Sequence, residues 1–340
     1  MAIASDIGID LGTSTLLIYM QNKGIVLNEP SVAAIDTYTG KLLCAGEEAR
    51  QMLGKTSDRV TAAYPLIDGV ISAYGMAEKM LTHFIKKVCN NKVFMPRVVV
   101  CVPSIITGVE RRAVIDAIYS AGARKVIPIE EPVAAAIGAG IDITRPHGSM
   151  VVDVGGGTTD IAVLSLNGIS VSTSIKIAGN EFDADIIRFM KTKYNVLIGE
   201  KTAERLKNEI GNIVPDGEIL TADAKGRNMV TGLPASVTLT SRELSECFTD
   251  SAVAIANAVQ EVLEQTPPEL VADIFEDGIV MTGGGALMRG LDRLISAKTK
   301  IKAHVAPDPQ QCVVLGTGKV LSSISELEGE ENLKYRDVNN

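Results

Sequence analysis

Two aspartates, each standing at the mouth of a turn made of small residues, are where this chain concentrates its chemistry. In Asp153-Val-Gly-Gly-Gly-Thr-Thr-Asp160, three successive glycines let backbone N–H groups approach and wrap an anion, and two threonines add hydroxyl donors. A carboxylate on each side suits hydrated Mg²⁺, which keeps several of its waters and takes one or two carboxylates. The plainer reading is a tight hairpin turn, where glycine is common anyway. Asp10-Leu-Gly-Thr-Ser14 repeats the arrangement in the other half of the chain, and a turn alone has no reason to repeat an aspartate at its mouth. The pair therefore points to a nucleotide whose phosphates are clamped, with Mg²⁺, in a cleft between two related α/β domains.

Three further segments could serve such a site. Val126-Ile-Pro-Ile-Glu-Glu-Pro-Val-Ala-Ala-Ala-Ile-Gly-Ala-Gly140 runs from a strand into a small-residue helix with Pro132 in its first turn. Glu131 there is either a carboxylate favourable at a helix N-terminus or the group that orients the water attacking a γ-phosphate. Thr282-Gly-Gly-Gly-Ala-Leu-Met-Arg289 places glycines after a strand and before a helix, so that adenine could slide against bare backbone; a simple connection would read the same. Glu204 and Lys207 share one helical face, as a surface ion pair or as partners for ribose hydroxyls. Neither G-x-x-x-x-G-K-[ST] nor G-x-G-x-x-G occurs, so P-loop and Rossmann sites have no support.

The elements that must position these residues follow one plan twice. Each half has a hairpin carrying the aspartate, at Ile7 and at Met150, and later an apolar strand, a loop and an amphipathic helix, from Arg97 and from Gly278. Such repetition indicates duplication. Residues 31–65 read as a small insertion on the first domain and 179–240 as a larger one on the second. The chain crosses over near Arg145-Pro146-His147-Gly148, giving domain I as 1–144 plus 319–340 and domain II as 145–318. Helical spacing predicts helices in GMAEKMLTHFIKKV, EFDADIIRFMKTKYN, EKTAERLKNEIG and a long one from Ser241 that stops at Pro267-Pro268. The tail from Ser322 reads as a fraying helix and a polar end.

Composition narrows the classes. A chain of 340 residues, 46% hydrophobic and 22% charged, is long enough for two domains with real cores. Five cysteines without a Cys-x-x-Cys pair, several inside apolar runs, read as small buried hydrophobes in a reducing cytoplasm. Three histidines lack metal-ligand spacing. No leader-like segment opens the chain and no apolar run is long enough to span a bilayer. A net charge of −8 argues against general nucleic-acid binding. That charge is uneven, however: residues 79–109 contain no acid, while Lys79, Lys86, Lys87, Lys92 and Arg97 surround the apolar tip Val93-Phe94-Met95.

DLGTST, DVGGGTTD, EEPVAAAIGAG and TGGGALMRGL, in this order, resemble the ATPase superfamily of actin, heat-shock chaperones and sugar kinases. NEPSVAAID, GEEARQMLGKT, PLIDGVI, GVERRAV, LIGEKTAERLKNEIG and TPPELVADI are similar to the MreB/Mbl family of bacterial actins, over roughly residues 6–321. The resemblance implies an α/β, two-domain actin-like ATPase fold of duplicated ribonuclease-H-like domains, each with a smaller inserted subdomain. It also implies a cytoplasmic, slowly ATP-hydrolysing filament of paired head-to-tail protofilaments, peripheral on the inner membrane face, organising cell shape and wall elongation with membrane proteins of that machinery. By motif match, ATP or ADP phosphates would be held by Asp10, Gly12, Thr13 and Ser14 and by Asp153, Gly155, Gly156, Gly157, Thr158 and Thr159. Asp10 and Asp153 would reach Mg²⁺ through water. Glu131 matches the catalytic glutamate, Glu204, Arg205, Leu206 and Lys207 the ribose segment, and Gly283, Gly284, Gly285, Ala286 and Leu287 the adenine segment. Val93 and Phe94 match a loop that touches an anionic membrane.

Two departures bear on turnover rather than binding: Ser14-Thr15-Leu16 stands where the family usually has Ala-Asn-Thr, and Ala73 where it has an acid. Chaperone-type and sugar-kinase-type ATPases are the rival classes. The first needs a peptide-binding domain after the ATPase, and the chain ends soon after its last patterned helix. The second needs an aspartate base beside an acceptor pocket, for which no segment is convincing.

Overall fold

The computed structural model describes residues 6–89, 95–214 and 217–323. Two compact units divide the chain, Met1–Asp142 with Gln311–Asn340, and Ile143–Gln310.

In the first unit, strand β1 (Ile7–Leu11) turns back antiparallel into β2 (Thr15–Met20), and β2 into β3 (Gly24–Pro30). The chain then leaves for an insertion of β4 (Ala33–Asp36), β5 (Leu42–Ala45), the short helix α1 (Glu47–Arg50) and β6 (Val60–Ala63), followed by a ribbon of β7 (Leu66–Ile67) and β8 (Val70–Ile71). It comes back through α2 (Tyr74–Cys89), β9 (Arg97–Val102), α3 (Gly108–Ser120), β10 (Lys125–Glu130) and α4 (Glu131–Ala139). The sheet order is β10-β9-β1-β2-β3, with β9 parallel to β1 and β10 parallel to β9. Val98–Val102 is buried throughout, as expected of a parallel strand covered on both faces.

The second unit repeats the plan. Its strands β11 (Ser149–Val154), β12 (Thr159–Ser165) and β13 (Gly168–Ile175) form the antiparallel meander. A larger insertion follows: α5 (Gly179–Tyr194), β14 (Val196–Leu197), α6 (Glu200–Ile210), β15 (Thr221–Asn228) and β16 (Pro234–Thr240). Helices α7 (Ser241–Gln265) and α8 (Pro268–Asp277) lead to β17 (Ile279–Thr282), α9 (Leu291–Thr299) and β18 (Ala303–Val305). The order β18-β17-β11-β12-β13 is that of the first sheet, strand for strand. A core of α5, α7 and the sheet closes around Phe182 and Phe248, whose rings meet edge to face at 5.2 Å.

Two features differ from the sequence expectation. The long pattern from Ser241 opens with a Thr240–Glu243 capping box and ends at Gln265, but Pro268 starts a new helix at its first position, where a missing N–H costs nothing. The return to the first unit falls at Gln311 rather than at 319, because α10 (Cys312–Val320) packs on α4 with backbones almost touching. A Cβ on Gly138 would lie 1.7 Å from the Cys312 carbonyl oxygen, and one on Gly316 1.9 Å from that of Ala134. This contact explains the run of small residues in α4.

Candidate functional site

The second aspartate turn is held almost entirely by main chain. Asp153 and Asp160 face each other across β11 and β12, and the turn closes with Gly155 N–H donating to the Thr158 carbonyl at 2.9 Å. The first two amides of α5 brace it from one side: Gly179 N–H donates to the Gly155 carbonyl at 3.1 Å and Asn180 N–H to that of Gly156 at 2.8 Å. The Thr159 hydroxyl donates to the Ile177 carbonyl at 2.7 Å. On another side lies the glycine turn after β17. A Cβ on Gly283, whose φ is +82°, would stand 2.3 Å from the Val154 carbonyl oxygen, and one on Gly285 2.5 Å from a Val154 methyl. Glycine is required at both for the close approach. Gly284, by contrast, faces the Gln310 side chain; Ala286 is buried in the core and Leu287 is exposed.

Asp153 is 6% exposed. Burial pushes its carboxyl up to about 7, the Thr282 hydroxyl donating at 2.8 Å opposes that rise, and the charge of Asp160 adds to it. Asp153 and Asp160 are both buried on neighbouring strands, and the charge of one raises the other. A hydrated divalent cation fits that donor set.

The first turn is held by side chains. Thr13, nearly buried, accepts from Gly69 N–H at 2.8 Å through its hydroxyl. Ser31, fully buried, donates to the Gly12 carbonyl at 2.7 Å, and its N–H donates to the Ser14 carbonyl at 3.0 Å. Asp10 pairs in register with Leu17 on β2, just before the turn. Glu131, 9% exposed, opens α4 directly after β10. Since β10 and β9 run parallel to β1, Glu131 and the Asp10 turn both lie at the carboxyl edge of that sheet, where open α/β sheets bind ligands. In the second unit Gly283 and Asp153 occupy the same edge, following β17 and ending β11.

The ribose segment separates into unlike residues, because a helix turns by about 100° per position. Lys207 donates to the Gly179 carbonyl and to Asp183, both at 2.8 Å, and Glu204 lies on the same side, near enough to raise the Asp183 carboxyl. Leu206 is fully buried in the core. Arg205 pairs with Glu209 and donates to the Asp223 carbonyl at 2.6 Å. Of the four residues expected at the ribose, Glu204 and Lys207 share the face toward Gly179, while Arg205 and Leu206 point elsewhere.

A family model described as MreB/Mbl protein matches residues 4–329. The chain belongs to the MreB/Mbl family. It is 48% identical over 325 residues to the cell shape-determining protein Mbl of Bacillus cereus, covering 95% of this chain and 98% of that one. To the cell shape-determining protein MreB of Escherichia coli it is 49% identical over 334 residues, 96% of each chain. The structure of MreB5 of Spiroplasma citri bound to ADP superposes with a TM-score of 0.90 at 38% identity, covering 95% of this chain and 98% of that one. MamK, in its double helical filament, gives 0.78 at 21% identity over 94% of this chain and 98% of that one, which speaks for the fold alone. The fold of this MreB/Mbl family member is thus the two-domain actin-like one.

Several residues that brace the turns carried no signal of their own: Ser31, Gly69, Gly179, Asn180, Asp183 and Thr282. Five of them act through a backbone group or a short hydroxyl, which no motif marks. The apolar tip Val93-Phe94 lies outside the described residues, and Met95 beside it is 59% exposed. The acid-free stretch is less cationic in space than in sequence. Lys87 pairs with Glu29 at 3.1 Å, and Arg97 with Asp6 at 2.6 Å. No helix among the described residues is long and apolar enough to cross a membrane.

Proposed function

We propose that this chain binds and slowly hydrolyses ATP, and that hydrolysis governs the dynamics of a head-to-tail polymer organising cell shape and wall elongation. The observation that carries this reading is the matched pair of turns, each with its aspartate at the carboxyl edge of an identically ordered sheet. Relatives at 38% and 37% identity, MreB5 of Spiroplasma citri bound to ADP and to AMPPNP, support a nucleotide as the ligand.

In this reading the amides of Gly155–Gly157 and the hydroxyls of Thr13, Ser14 and Thr158 bind phosphate oxygens, and Thr159 braces the turn through the Ile177 carbonyl. Asp10 and Asp153 hold Mg²⁺ through water, and the ion neutralises phosphate charge when bound. Glu131 orients the attacking water, Glu204 and Lys207 contact the ribose, and Gly283–Leu287 lie along adenine. A subunit that contacts its neighbour through two unlike surfaces polymerises without closing. Protofilaments pair, with Ile105 and Val109, both exposed, at the start of α3 as the candidate seam. The filament lies on the inner face of the cell membrane through Val93 and Phe94 and the lysines nearby, beside membrane proteins of the wall-elongation machinery. Each lysine near an anionic surface contributes about 1 kcal/mol, so binding is weak per subunit and strong only for a polymer.

Sedimentation tests the reading directly. Protein at raised concentration should pellet with ATP and Mg²⁺, less with ADP, and should carry anionic liposomes down mainly when polymerised. Val93→Ala with Phe94→Ala should abolish liposome binding while ATP binding persists. A strict monomer with ATP at every concentration tried would rule out the polymer.

A further inference from the structure

The brace between α5 and the glycine turn ends in a pair of charges that the nucleotide reading does not by itself require. Chain entering α5 uses its first two amides on the Gly155 and Gly156 carbonyls, although Ala178 at the N-cap supplies no side-chain cap. The Gly179 carbonyl lies one bond from the brace and accepts from a side chain as well. Lys207 reaches it from α6, at 2.8 Å. The same ammonium donates to Asp183 Oδ2 at 2.8 Å. An ammonium has three donors, and the two contacts fix its direction while leaving the third for a ligand. No side chain fits at Gly179 without crowding this arrangement: a Cβ there would be 3.3 Å from the Gly155 carbonyl oxygen and 3.7 Å from Lys207 Nζ.

Asp183 is placed to hold the lysine and not to meet a ligand itself. Its side chain is 15% exposed and that of Lys207 14%, and Asp183 Oδ1 is buried with no hydrogen-bond partner. A carboxylate committed to one ammonium, with its second oxygen unsatisfied, is expensive for folding alone. Two acids of α6, Glu204 and Glu200, face it as well; on its own helix Asp185 and Glu181 are engaged by Arg188 at 2.6 and 2.9 Å. Only Lys207 pairs with Asp183 among the described residues. Such a costly arrangement is reasonable where the lysine must be aimed.

We propose that Asp183 is a positioning residue for nucleotide binding, holding Lys207 against the Gly179 carbonyl so that one ammonium both locks the brace of the second phosphate turn and presents a donor to the nucleotide. This rests on the ATP reading above. Burial raises the Asp183 carboxyl to about 6, against the lowering effect of Lys207. Protonation in the mildly acidic range therefore releases the lysine. The pair tunes affinity, and Glu131 on the other unit is left to set the rate of the chemical step.

The experiment is ATP affinity and steady-state turnover for wild type, Asp183→Asn, Lys207→Gln and the double variant, from pH 5 to 7.5. Asp183→Asn should raise KM roughly tenfold with kcat at saturation within about twofold, since a binding contact is lost without a transition-state one. The double variant should be no weaker than Lys207→Gln, because aspartate acts only through the lysine. The ratio of wild-type to Lys207→Gln affinity, which cancels the titration of ATP itself, should shrink as pH falls through about 6. Should Asp183→Asn fail to fold, that ratio decides alone. A pH-independent ratio, additive losses, or a fall in kcat at unchanged KM overturns the proposal. Wild-type protein that binds no ATP at any pH instead removes the reading on which it stands.

Discussion

The two aspartate turns sit at the same place in the same strand order, yet they are held by different means. Hydroxyls of Thr13 and Ser31 hold the first, with Gly69 reaching in from the ribbon of β7 and β8. The second is held by peptide groups from α5 on one side and by bare glycine backbone from the β17 turn on the other. The two units thus share the sheet order and the acid while the bracing differs, in part through the insertions, which supply Ser31 in the first unit and the start of α5 in the second. The first turn should therefore be sensitive to loss of a hydroxyl, and the second to gain of a methyl group.

Gly283→Ala should give the largest effect. Its φ of +82° is already unfavourable for alanine, and the new Cβ would meet a main-chain oxygen at 2.3 Å, which cannot rotate away. A loss of about 3 kcal/mol in urea unfolding is expected, with ATP affinity falling in parallel. Gly12→Ala in the first turn is the control. Its Cβ would lie 2.7 Å from the Thr15 carbonyl oxygen, without a positive φ, so the loss should be smaller. Equal losses would erase the distinction between the turns.

Next in size is the separation of chemistry from binding. Glu131→Ala should leave ATP affinity within a few-fold of wild type while slowing phosphate release in a single-turnover assay by about 100-fold or more, as for a group acting in the transition state. Unchanged turnover would return Glu131 to the role of a carboxylate at a helix N-terminus. A smaller effect is expected at the hydroxyl braces. Thr13→Val keeps the shape but leaves Gly69 N–H buried without its acceptor, costing about 1–3 kcal/mol. Thr159→Val, at a hydroxyl that binds a carbonyl in the second unit, should disturb nucleotide affinity less, because the peptide braces remain.

Much of this was legible before the structure, and the limits have physical causes. Asp10 and Asp153 announced themselves because an acid beside glycines and threonines is chemically conspicuous, and the flanking alternation located both hairpins. The helix from Glu131 was legible as a helix. Why it is so rich in small residues was not, since its partner α10 lies far along the chain and the contact is backbone on backbone. The motif around Glu204 named Arg205 and Leu206 as a block with their neighbours, whereas a helix sends adjacent side chains to different faces, and Leu206 packs into the core. Gly179 and Asn180 were invisible as braces, because a peptide N–H has no residue type.

The comparison extends to where each unit's first strand begins, and there the smallest effect is expected. Just before β1, Asp6 accepts from Arg97 through the guanidinium and the backbone N–H, at 2.6–3.1 Å. Just before β11, His147 meets Asp277 at 2.7 Å and Asp273 at 3.3 Å, and Gly148 N–H donates to Asp273. Arginine keeps its charge throughout the working pH range, whereas histidine does not. The Asp277 hydrogen bond, with the charges of Asp273, Asp277 and Glu276, raises the folded pKa of His147 above its usual 6.5 against the opposing effect of burial. Stability from this pair is therefore fully present below about 6.5 and is lost as pH rises through the higher folded value. His147 is more than a third exposed, so solvent screening holds the contribution below about 1 kcal/mol. Thermal unfolding of wild type against His147→Gln should show the wild type ahead at pH 6 and the gap closing by about pH 8. Asp6→Asn, in contrast, should show a deficit that stays level across the same range. A His147→Gln gap that does not change with pH would mean that the histidine acts by shape alone, and that the two strand entrances differ in residues but not in their response to protons.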